Sequence, residues 1–106
     1  MSDERLVVQL TLSESTDFDE LLDIENTLTV AFLKDRAAMV DGHAMAGTAF
    51  SIFVVPRAAP DSVVDRIKAA LAESGLLEAA LIARRAGAAE AWSVVWPAGY
   101  TGRFKA

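Results

Sequence analysis

The chain has 106 residues, 53% of them apolar and 24% charged, with no cysteine and a net charge of −5. That is the make-up of one domain spanning 1–106, too short to close a second core. It excludes disulfide scaffolds, thiolate metal centres and thiol nucleophiles.

The missing cysteines, and a start without a cationic stretch leading into a long apolar run, make the cytoplasm the expected location, with no membrane partner. Charge is unevenly spread. Residues 1–25 hold eight acids against Arg5 alone, whereas residues 84–106 hold Arg84, Arg85, Arg103 and Lys105 against Glu90. Acidic surfaces repel phosphate backbones, so nucleic acid is not an expected partner; such a surface ordinarily serves solubility, and a basic protein is the partner it could attract.

Leu6, Val8, Leu10 and Leu12 alternate with Val7, Gln9 and Thr11, the period of two that predicts a strand with one well-buried face. Ser13 to Thr16 supply turn and N-cap chemistry. Phe18, Leu21, Leu22, Leu28 and Phe32 then recur at helical spacing, predicting a helix over 17–33. Ala37 to Val40, followed by Asp41-Gly42, and the β-rich run Phe50 to Val55, stopped by Pro56, predict strands at 37–41 and 48–55 joined by a glycine-bearing loop. Pro60 and Asp61 open a second helix whose face is Val63, Val64, Ile67, Ala70 and Leu71, and Gly75 closes it.

The alanine-rich segment Leu76 to Arg85 satisfies a helix or a strand, and a strand near 79–85 is preferred. The turn-like Gly87-Ala88-Ala89 and the alternation Trp92, Val94, Trp96 before Pro97 call for a terminal hairpin. The order is then βαββαβ plus an additional C-terminal strand, an α+β, ferredoxin-like sandwich with two helices on one face of an antiparallel sheet. The core spans about 6–97, and 98–106 is a C-terminal tail.

With its Asp41-Gly42-His43 turn and its Arg85-Ala86-Gly87 turn, the chain resembles a family of small bacterial proteins of ferredoxin-like fold and uncharacterised function. The resemblance covers most of residues 6–97. It implies the fold and no activity.

Four residues are candidates for ligand binding: Glu25, Asp41, His43 and Arg85. His43 is the sole histidine, and Asp41 two residues before it is placed to fix its tautomer, as a general base requires; ordinary Asp-Gly turn chemistry accounts for the same residues. Glu25 projects into the apolar stripe between Phe18, Leu21, Leu28 and Phe32 and therefore needs a partner, such as Arg84 or Arg85.

The segment Gly47 to Phe53 partly follows an RNA-recognition strand. Thr48 stands where an aromatic should stack a base, and Ala46 where a basic residue belongs. No phosphate loop, zinc or calcium spacing, or nucleophile elbow is found, so neither metal nor cofactor is expected and no catalytic residue is assigned.

Two readings follow. The first is a non-catalytic interaction or regulatory module that self-associates as a homodimer through the open sheet face, at Phe53, Val55, Trp92 and Trp96, and is inhibitory toward a basic partner. The second is a small ligand-binding or enzymatic domain with a pocket near His43 and Glu25. Whether a second copy or the tail, with Tyr100 and Phe104, covers that face is left open by the sequence.

Overall fold

A computed structural model of the chain describes residues 4–11, 18–34, 36–57, 59–85 and 92–97. Its elements are β1 (Arg5–Thr11), α1 (Phe18–Leu33), β2 (Ala38–Ala46), β3 (Ala49–Pro56), α2 (Pro60–Glu73), a 3-10 turn (Leu77–Ala79), β4 (Ala80–Arg85) and β5 (Ser93–Trp96). The expected N-cap at 13–16, the turn at 87–89 and the tail at 98–106 lie outside the described residues.

All five strands join one antiparallel sheet in the order β2-β3-β1-β4-β5. Both helices contribute to one core on one sheet face. Leu21, Ile24, Leu28 and Phe32 of α1 and Val63, Ile67 and Leu71 of α2 meet Leu6, Val8, Leu10, Phe50, Ile52, Val54 and Ile82 of the sheet. The helical period of 3.6 and the strand period of two therefore converge on a single apolar layer.

β1 is the middle strand, and Val7 on its other face is buried as fully as Leu6 and Val8. The sequence predicts one buried face here. Val7 stands between Phe53 and Ala83 on the two neighbouring strands, and Ala83 is buried as fully.

The ambiguous alanine-rich segment resolves into a 3-10 turn followed by β4, in which Ala80, Ile82 and Ala83 are buried. α2 ends as expected at Gly75, whose φ of +73° suits a residue without a Cβ. Its N–H donates to Ala72 O, and Leu76 N–H donates to Leu71 O at 2.9 Å, which satisfies two carbonyls of the last turn.

β2 departs most from expectation. It does not stop at Asp41-Gly42 but runs to Ala46, and the hairpin turn falls at Gly47-Thr48. Asp41 and Gly42 form a bulge instead: Val40 pairs with Val54 and Gly42 with Phe53, leaving one extra residue on β2. Gly42 has φ +114°, open essentially to glycine alone.

Candidate functional site

His43 is thus a strand residue rather than a loop residue. Opposite Ile52, it points to the helix-covered face, where its ring stacks on Phe50 with centroids 5.0 Å apart. There it meets Glu25. Nδ1 lies 3.0 and 2.9 Å from the two carboxylate oxygens, and since an ionised carboxylate only accepts, the imidazole donates.

The Glu25 side chain is 18% exposed and that of His43 34%, so the contact sits at the flank of the α1 apolar stripe rather than inside the core. Glu25 does find a basic partner, as its position demanded, but on β2 and not on β4. Arg84 is engaged elsewhere, 2.7 Å from Glu4 and 3.3 Å from Asp61.

Asp41 does not orient His43. The bulge turns it to the sheet face that the helices leave open, where it lines a cleft of about 270 Å³ with Arg5, Phe53, Arg85 and Trp92. The expected four-residue ligand set is therefore divided by the sheet, with Glu25 and His43 on one side and Asp41 and Arg85 on the other.

Arg5 was not singled out by the sequence. It is the direct cross-strand partner of Arg85, a relation that only the β1–β4 register discloses. Arg85 stacks its guanidinium 4.7 Å from the Trp92 ring centroid. Neither arginine, nor Asp41, has an ion-pair partner among the described residues.

Of the four residues expected at an interface, Phe53 and Val55 are half-buried on the open face, and Trp92 walls the cleft at its edge. Trp96 is a correction. The β4–β5 register shifts between Ile82 and Ala83, so Ile82 faces Trp96 while Ala83 faces Val94. That irregularity breaks the period of two, and Trp96 packs on the helix side, donating from Nε1 to Leu77 O at 3.1 Å beneath the Lys68 ammonium. Trp92 and Trp96 do not share a face.

Two other clefts lie beside the end of α2, one lined by Ala72, Gly75, Leu77 and Glu78, the other by Glu20, Asp23, Ile24, Ser74 and Leu76. Neither Glu25 nor His43 lines any of these three clefts. Among the described residues no three metal-ligating side chains converge, and no helix is long and apolar enough to cross a membrane. No family model, no curated protein and no solved structure matches the chain.

Proposed function

We propose that the chain is a ferredoxin-like, non-catalytic interaction module of the cytoplasm that self-associates through the open face of its sheet. The strand order β2-β3-β1-β4, with α1 and α2 each crossing over a central strand, supports that fold.

One observation carries the function. The face without helices bears half-buried Phe53, Val55 and Val94 beside Asp41, Arg5 and Arg85, charges of both signs with no ion-pair partner among the described residues. A twofold contact brings each residue of one copy to its counterpart's neighbour, so Asp41 of each copy can meet Arg85 of the other. Apolar groups then close the middle while opposite charges set the register. Trp96, held on the helix side, takes no part.

Charge reversal tests this reading. The wild-type chain is expected at twice the 11.3 kDa of one chain in light scattering coupled to gel filtration. Asp41→Arg and Arg85→Asp each run as monomers, and an equimolar mixture of the two recovers the dimer, because both contacts again join opposite charges. A wild-type chain at 11.3 kDa across the micromolar range overturns self-association.

The bidentate contact of His43 with Glu25 favours a second reading, a proton-transfer site on the helix side. It ranks below the first because a partly exposed ion pair of this kind is also ordinary surface chemistry.

A further inference from the structure

We propose that the open-face cleft is a site for a small zwitterion of the α-amino-acid class with an apolar side chain. The inference rests on the reading of this face as the recognition surface and gives the monomer a ligand there, which competes with a second copy for Asp41 and Arg85.

Arg5 and Arg85 are directly opposite one another on adjacent antiparallel strands. Like charges so placed repel, and no carboxylate among the described residues pairs with either. Arg5 donates from Nη1 to Glu4 O at 3.1 Å and Arg85 stacks on the Trp92 ring, and each guanidinium has further N–H donors with which to grip a carboxylate.

A bare anion fits the rest of the cleft poorly, because Asp41 lines it too. A lone cation is opposed by the two arginines. A molecule carrying both charges satisfies all three side chains.

Asp41 is on β2 and Arg5 on β1, with β3 between them: two strand intervals of about 4.8 Å each, and an offset along the strands as well, since Asp41 stands level with Leu6 and Val7. Asp41 makes no ion pair with either arginine across that gap. An α-amino acid, with its ammonium and carboxylate on one carbon and a charged hydrogen bond of about 2.8 Å at either end, joins the two sides through the long, jointed arginine side chains.

Phe53, on the strand between, supplies an apolar floor, and Trp92, fixed by Arg85, supplies a wall. These rings give the ligand's side chain its surface. At about 270 Å³ the cleft has room for one small molecule.

Three congeners separate the parts: phenylalanine with both charges, 3-phenylpropionate with the carboxylate alone, and 2-phenylethylamine with the ammonium alone. Each is titrated against the low-micromolar full chain while the Trp92 indole N–H resonance is followed. Phenylalanine binds best, 3-phenylpropionate roughly tenfold more weakly, and 2-phenylethylamine not measurably, tenfold being the loss of about 1.4 kcal/mol.

Arg85→Ala weakens phenylalanine at least about tenfold, and Asp41→Ala reduces it to the level of 3-phenylpropionate. Arg85→Lys, which keeps the charge and loses the fork, falls between, guarding against a merely misfolded variant. Equal binding of all three congeners, or no response of Trp92 to phenylalanine, overturns the proposal.

A chain that dimerises but ignores phenylalanine defeats the ligand and leaves self-association standing. A chain that binds phenylalanine but is monomeric at every concentration does the reverse.

Discussion

Asp41 and His43, two residues apart on one strand, stand on opposite faces of the sheet. Regular alternation puts residues i and i+2 on the same face. The extra residue between Val40 and Gly42 cancels that rule, removes Asp41 from His43, and leaves the imidazole to a carboxylate 18 residues earlier in the chain.

The contact with Glu25 fixes where the proton sits on neutral His43. Because the carboxylate accepts at Nδ1, that nitrogen carries the hydrogen and Nε2 carries the lone pair. Nitrogen-15 shifts of the ring report the Nδ1–H tautomer in the wild type, and Glu25→Ala lowers the share of that tautomer. Since the pair is partly exposed, the same substitution lowers stability by only about 0.5–1 kcal/mol. An Nε2–H tautomer in the wild type contradicts the geometry.

Gly42→Ala tests the bulge itself. A Cβ at Gly42 meets no atom within 4 Å, so any penalty comes from the backbone alone, held at φ +114°. The expected loss is about 1–3 kcal/mol in denaturant unfolding. Because the bulge aims Asp41, phenylalanine binding at the open-face cleft weakens in step. An unchanged denaturation midpoint means that residue 42 does not need its positive φ.

Arg36→Gly should act in the other direction. Arg36 sits at φ +56° just past α1 and donates its N–H to Phe32 O at 2.8 Å, a helix ending that glycine makes without crowding its own backbone. Thermal unfolding is expected to shift upward by the equivalent of about 0.5–1 kcal/mol. A downward shift shows that the arginine side chain contributes more than its backbone strain costs.

The sequence made the elements legible wherever period and punctuation agreed. α2 is the clearest case: Pro60 and Asp61 mark its start, Gly75 its end, and Val63, Ile67 and Leu71 its buried face. β3 between Phe50 and Pro56 is read equally directly.

The two places where register shifts were not legible, because alternation says nothing about an inserted residue. One moved Asp41 away from His43, and the other moved Trp96 away from Trp92. Arg5 escaped notice for a related reason. At the start of a strand it resembles any solvated charge, and only pairing with a strand 80 residues later puts it beside Arg85.

The strand in the middle of the sheet is the first in the chain, and all its neighbours come late. Gln9 meets Ser51 across 42 residues, and Glu4 meets Arg84 across 80. On the ribosome, Leu6, Val7, Val8 and Leu10 therefore emerge long before β3 exists to pair with them, and remain uncovered while some forty further residues are made at about 5–20 per second. Assembly rests on distant pairings, which predicts slow refolding for so short a chain. The interval of several seconds during which an apolar strand has no partner is when this protein is most open to aggregation.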